Sequence, residues 1–323
     1  MKKLICVMLT VILALSCFTA CSQKEDDGVI NVAIIQQLDH SSLDEIRLAI
    51  QAELDAIAAE KGVTVEYKHF NGQNDTTILG QISAQVVADG YDVIIPIATV
   101  AAQYAVTAAE GTDIPIIYAA VSDPAGAGLT GLPTVTGVSD ALNTPFILDM
   151  MFAVNPDIEV VGLLYSLSEP NSAMPIAEAK AYLDAKGIAY IEKTGHLADE
   201  VITAASALVG RCDAVFTPTD NAIMNVAPSV AEILNKAGIP HYTGADSFVQ
   251  AGSFTTCGVN YTELGTYTAK VAMDIVLGGE VPEFHVMEGG IIAVNTDTAK
   301  LLNLDYSVFS TMANTVVEVS AEQ

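Results

Sequence analysis

From Val29 onward, short apolar runs alternate with longer segments in which apolar positions recur every three or four residues. VINVAII, beginning at Val29, is a continuous apolar run of the kind found in a parallel strand covered on both faces. A helix over 41–61 follows: Ser41 or Ser42 can cap it, Glu45 lies three residues after Ser42 as in a capping box, and Gly62 ends it. The pattern then predicts strands over 63–70, 92–97 and 114–120, separated by helices over 75–88 and 100–110. A second series starts with the strand EVVGLLYS at Glu159. It continues with helices over 172–186, 199–209 and 221–237 and strands over 188–193, 214–217, 239–242 and 254–259. Strict alternation of this sort predicts an α/β protein whose parallel sheets carry helices on both faces.

The two series resemble one another. DVIIPIATVAA from Asp92 aligns with DAVFTPTDNAI from Asp213, and Gly137-Val138 with Gly258-Val259 at the same spacing. Ile114-Pro115 recurs as Ile239-Pro240. We therefore expect two doubly wound parallel-sheet lobes with a hinge, the first over 29–141 and the second over 142–259. A further helix over 264–277 and the run IIAVN from Ile291 leave too little chain for a third domain. Residues 260–323 are read as a return segment that completes the first lobe and crosses the hinge, with a polar, frayed end from about Ala313.

The first residues follow another rule. Met1-Lys2-Lys3 precedes an apolar stretch from Leu4 to Phe18, then the small pair Thr19-Ala20, Cys21 and a polar run. That stretch is short for a membrane span and resembles a bacterial lipoprotein signal. The resemblance implies removal of residues 1–20, lipidation of Cys21 and a tether over 21–28.

Composition narrows the function. With 13 Lys+Arg against 39 Asp+Glu the net charge is −26, and loss of Lys2 and Lys3 would take it to −28. No nucleic-acid partner is expected, because phosphate capture needs clustered positive charge. At 51% apolar and 16% charged residues the chain is hydrophobic enough to build cores. Trp is absent, so a contact to an aromatic ligand falls to Tyr or Phe. In the body only Cys212 and Cys257 remain, on strand ends expected to lie apart.

Ligands of open α/β sheets sit outside the carboxyl ends of the strands. In the first series those ends carry Gln37, His40, Ser42, Thr99 and Ser122; in the second, Ser168, Asn171, Ser172, Asp220, Asn221 and Asp246. Each hydroxyl, carboxamide or carboxylate there is also a good helix cap, and a capped helix start still offers free N–H groups to an anion. Catalytic patterns are missing. GAGLTG, starting at Gly126, matches a dinucleotide-binding spacing but runs into Leu132-Pro133 instead of opening a helix. No P-loop, nucleophile elbow or zinc spacing occurs; His69 and His241 fall within strands, while His40 sits in a strand-end loop. No enzyme activity, metal or cofactor is expected.

Across nearly the whole body the chain resembles the substrate-binding lipoproteins of ABC importers, in particular the tryptophan/tyrosine-type group. The resemblance is carried by LDHSSLDEI from Leu38, IATVAAQ from Ile97, AAVSDPAGAGL from Ala119, GVSD from Gly137, LLYSLSEPNS from Leu163, PTDNAI from Pro218 and GVNYTELG from Gly258. Ser41 and Val100 depart from the group's commonest pattern, which has Pro at each. The resemblance implies a type I periplasmic-binding-protein fold that closes on one small molecule outside the cell, as a monomer, and hands it to a permease and its ATPase. For an amino-acid ligand, the carboxylate is expected at Thr99, Ala101, Ser168, Asn171 and Ser172, the ammonium at Asp220 or Asp246, and the side chain between Tyr165 and Phe248. An alternative keeps the fold for a surface receptor, adhesin or sensor subunit.

Overall fold

The structure, a computed structural model, describes residues 28–320. The leader and the lipidation expected at Cys21 lie outside the described residues.

The first lobe is built from β1 (Val29–Gln36), α1 (Ser41–Lys61), β2 (Thr64–Asn71), α2 (Thr76–Asp89), β3 (Val93–Ile97), α3 (Thr99–Ala108), β4 (Ile116–Ala119) and β5 (Val135–Ser139). The second contains α4 (Thr144–Val154), β6 (Val160–Tyr165), a 3-10 turn (Pro170–Ser172), α5 (Ala173–Lys186), β7 (Ala189–Thr194) and α6 (Ala198–Ser206). It goes on through β8 (Ala214–Thr217), α7 (Asn221–Met224), α8 (Ala227–Lys236), β9 (His241–Thr243), α9 (Asp246–Gln250) and β10 (Thr255–Gly258). The chain closes with α10 (Tyr261–Val276), β11 (His285–Val286), β12 (Ile291–Asn295), α11 (Thr296–Leu301), α12 (Phe309–Met312) and β13 (Thr315–Val319).

One sheet runs β11-β5-β4-β3-β1-β2 with every pair parallel. The other runs β13-β12-β10-β9-β8-β6-β7 and is parallel except where β12 meets β10. All five residues of β3 are buried, which accounts for the unbroken apolar run read in its sequence. β2, at an edge, alternates instead.

Residues after 260 divide between the lobes. α10 packs along α1, and Gly265 permits the approach: a Cβ there would lie 2.5 Å from the Ile46 carbonyl oxygen. β11 joins the first sheet, but β12 and β13 pair in the second, so the return segment does not complete the first lobe alone. The lobes are joined three times, between β5 and α4, between β10 and α10, and between β11 and β12.

Other departures have local causes. The helix read over 221–237 is two helices, because Pro228 opens α8 and cannot supply an N–H to a continuing ladder. α4 escaped the reading since TPFILDMMFAV is apolar almost all round; Asn143 caps it by accepting the Phe146 N–H. The end read as frayed from about Ala313 instead forms β13 against β12, where its backbone groups find ladder partners. Neither serine caps α1: His40 is the N-cap residue and gives no side-chain cap. Cys212 and Cys257 are free, buried thiols in separate cores.

Candidate functional site

The carboxyl ends of both sheets face one another across a cavity with about 370 Å³ of empty space, its mouth included. First-lobe walls come from His40, Ser42, Leu43, Ala98, Thr99, Ala120 and Asp140, with Tyr261 from α10. The second lobe gives Asn171, Thr219, Asp220, Asn221, Met224, Ala245, Ser247 and Phe248. Among the described residues no lysine or arginine lines it.

The lobes are shut. Among the described residues, side chains bridge them at four points: Gln37 Nε2 to Glu169 Oε1 at 2.9 Å, His40 Nε2 to Asn221 Oδ1 at 3.0 Å, Ser42 Oγ to Ser247 Oγ at 2.5 Å and Ser122 Oγ to Thr219 Oγ1 at 3.1 Å. A closed cleft is desolvated, so a buried polar atom left without a partner there costs about 1–3 kcal/mol. Three such atoms belong to residues that line this cleft, His40 Nδ1, Thr99 Oγ1 and Asn171 Oδ1, and a fourth, Gln37 Oε1, lies just behind it.

Their chemistry can be read from the bonds their own side chains make. Asn171 donates through Nδ2 to the Thr219 carbonyl, which leaves Oδ1 as an acceptor. Gln37 donates through Nε2 to Asn74 and Glu169, which leaves Oε1. Asn221 donates Nδ2 to Glu169 Oε2, so its Oδ1 faces His40 and the His40 Nε2 must carry the hydrogen. Burial holds the His40 pKa below its ordinary value, and the neutral ring keeps a bare lone pair at Nδ1. Three of the unpartnered atoms are thus pure acceptors; Thr99, a hydroxyl, can act either way.

Negative charge gathers around them. Asp220 accepts from Ser166 N–H and Ser172 O–H on Oδ2, both at 2.7 Å, and from the Ile223 N–H on Oδ1 at 3.0 Å. Asp140 accepts from Ser122 at 2.8 Å and from the Tyr261 hydroxyl at 3.3 Å. Burial pushes the carboxyl pKa up in Asp140, Asp220 and Glu169 alike, and Asp220 raises Glu169 further. A cationic group in the cavity would relieve all three.

Another part of the wall offers N–H donors. α3 starts at Thr99, 2% exposed, and its first-turn N–H groups have no partners within the helix. Ala98 precedes it at φ 77° and ψ 161°, a region costly for a residue with a Cβ, and Ala120 lines the same wall at φ 54°.

Of the residues singled out from sequence, His40, Ser42, Thr99, Asn171, Asp220, Asn221 and Phe248 come together around the cavity. Gln37, Ser122 and Ser172 sit just behind it in the bonds described above. Ala101 lies in the core, so only its backbone belongs to the α3 start. Asp246 is half-buried in the first turn of α9, off the cavity wall. Two residues point elsewhere. Tyr165 bonds Glu192 at 2.7 Å on the outer face of the second lobe, and Ser168 is exposed and bonds His196 at 2.6 Å. Sequence reasoning passed over Asp140, Met224 and Tyr261, which the lobe crossings and the split after α7 bring inward. GVSD and GVNYTELG, quoted for the resemblance, already contained Asp140 and Tyr261.

A family profile described as ABC transporter substrate binding protein matches residues 31–314. The chain belongs to the ABC transporter substrate-binding protein family. A tyrosine-binding protein of Clostridioides difficile (strain R20291) is 30% identical, over 94% of this chain and 93% of that one. Among solved structures, an ABC domain in complex with L-Trp from Streptococcus pneumonia matches with TM-score 0.82 and 28% identity, covering 89% of this chain and 99% of the other. A ligand-free, open substrate-binding protein with adhesive properties from Clostridium difficile reaches only 0.67 at 29% identity, covering 90% and 99%. Nearly equal identities with unequal superposition agree with the shut cleft seen here. As a family member, the protein is an extracytoplasmic component that binds a small molecule for an ABC permease and its ATPase, and it is not an enzyme. No described helix is long and apolar enough to cross a membrane.

Proposed function

We propose that this family member captures a single α-amino acid with an aromatic side chain, acting as a monomer tethered by a lipid on Cys21. The observation that carries the ligand class is the pair of buried, unpartnered acceptors at His40 and Asn171, which line the cavity beside the Asp220 carboxylate. Acceptors without donors call for a ligand that brings N–H groups, and buried carboxylates without lysine or arginine call for positive charge. An ammonium meets both demands. Its carboxylate finds the α3 start and Thr99, and its side chain lies against Phe248, Tyr261 and Met224.

The tyrosine-binding relative and the L-Trp complex support an aromatic side chain. Ligand-driven closure is a shift between open and shut states set by contacts made only when both lobes reach the ligand.

A thermal-shift screen of the twenty amino acids tests the reading, followed by mass spectrometry of the bound fraction. A ligand at 100 times its Kd adds about 2.7 kcal/mol of stability. Tyrosine, tryptophan or phenylalanine is expected to give the largest shift and to be recovered unchanged. No shift with any of the three would remove the aromatic assignment.

A further inference from the structure

We propose that Glu169, which does not line the cavity, makes the cleft selective for an amine by orienting Gln37, Asn221 and, through Asn221, His40, and that the ligand's ammonium displaces a proton from it. The inference rests on the amino-acid reading above.

Glu169 is 3% exposed and spans the two lobes. Its Oε1 accepts from Gln37 Nε2 at 2.9 Å and its Oε2 from Asn221 Nδ2 at 2.8 Å. An ionised carboxylate only accepts, so both amides must turn their NH₂ groups toward it. One consequence stays behind the ligand wall and one reaches it. Behind it, Gln37 is left with Oε1 buried and unpartnered. Asn221 is left with Oδ1 toward His40 Nε2, which fixes the hydrogen on Nε2 and leaves Nδ1 bare. One carboxylate thereby sets two acceptors on the first lobe, while the third, Asn171 Oδ1, is set separately by the Thr219 carbonyl.

This arrangement needs Glu169 ionised, yet among the described residues no cationic side chain lines the cleft to offset the charge. The charged group acting on it is Asp220 on its own lobe; across the cleft Asn221 links it to His40, whose ring is in turn flanked by Asp44 and Asp39. Burial first, and then Asp220, draw a proton onto Glu169. A protonated Glu169 must donate its O–H to an oxygen of Gln37 or Asn221, which turns that amide around and removes one of these acceptors. When an ammonium enters, its charge replaces that of the proton; the proton leaves to solvent, both amides return, and the acceptor set is complete. Amine binding and deprotonation of Glu169 are one event.

The test is isothermal titration of the mature chain at pH 6, 7 and 8. The titrants are the amino acid giving the largest thermal shift and its des-amino analogue, which keeps the side chain and carboxylate. Titrations in phosphate and in Tris at each pH report protons released. The wild-type chain is expected to release a proton on binding the amino acid and none on binding the analogue. Its affinity for the amino acid should rise with pH across this range, by up to about tenfold per unit, because the free protein holds the proton that the complex has lost. Glu169→Gln should lose the pH dependence and about tenfold or more of the preference for the amine. Glu169→Asp, still an acceptor-only group, should retain the pH dependence at reduced affinity. Tight amino-acid binding by the wild-type chain without proton release overturns the inference alone, whether or not the variants fold. Full preference and an unchanged pH profile in Glu169→Gln overturn it equally. Binding of no amino acid removes the amino-acid reading and the inference with it.

Discussion

Thr99 and Asp220 occupy matching positions in the two lobes, each opening a helix at the end of a buried strand, yet their helix starts are finished in opposite ways. At Asp220 the side chain caps its own helix through the Ile223 N–H and also ties in Ser166 and Ser172. At Thr99 the helix start has no side-chain cap, the hydroxyl has no partner, and the preceding Ala98 is held at φ 77°. One start is satisfied within the protein and brings negative charge to the cleft. The other is left open and strained, with the partial positive charge of a helix start. The two lobes offer equivalent positions, and the difference between them is what the proposed zwitterionic ligand requires. Elsewhere the lobes keep the same device: Asp92 accepts from the Asn31 N–H and its counterpart Asp213 from Glu159 and Val160, each fastening a strand start.

The contrast can be broken most forcefully at Asp220. Asp220→Ala strands three donors, so calorimetry should show a loss of about 2–4 kcal/mol in stability, together with loss of binding by about a hundredfold or more. Unchanged stability would mean that the capping side of the comparison is wrong.

A pH titration separates the lobes at a second matched pair, Ile116 in β4 and His241 in β9. His241 is fully buried between Thr217 and Ser253, and burial alone lowers its pKa from 6.5 to about 3. The unfolded chain therefore binds the extra proton below about pH 6.5 and the folded one does not, so this site costs stability as pH falls. At pH 5 the cost is about 2 kcal/mol. Denaturant unfolding should show it as a difference in pH dependence between the wild-type chain and His241→Gln; parallel profiles would contradict it.

Thr99→Val should weaken amino-acid binding by about fivefold to twentyfold while shifting unfolding by no more than about 0.5 kcal/mol, since no internal bond is lost. Ala98→Gly should stabilise the ligand-free chain by about 1 kcal/mol through relief at φ 77°. The smallest effect is expected at Tyr165→Phe, which removes a hydroxyl bonded to Glu192 outside the cleft and should leave Kd within about twofold.

Much of this could be read along the chain. Alternation of apolar runs and helical periods set the α/β class, because burial on both faces of a parallel sheet requires continuous apolar strands. The internal match between Asp92 and Asp213 exposed the two lobes, and the strand-end rule located the rim on which His40, Thr99, Asn171 and Asp220 stand. Periodicity failed where it carries little information: in α4, apolar all round, and at Pro228, where a helix of uniform pattern breaks in two.

Which rim residues meet is another kind of fact. Ser168 and Tyr165 looked as suitable as Asn171, yet the turn at Pro170–Ser172 carries Asn171 inward and leaves the other two outside. Ser172 is consumed by Asp220. Bonds from Gln37 to Glu169, His40 to Asn221 and Ser42 to Ser247 join residues 132, 181 and 205 positions apart. The sequence by itself determined the elements, the doubling of the fold and the polar rim, since those depend on local propensity and burial pattern. Only the tertiary structure decided which polar atoms remain unpartnered, because that depends on how two separately folded lobes shut against each other.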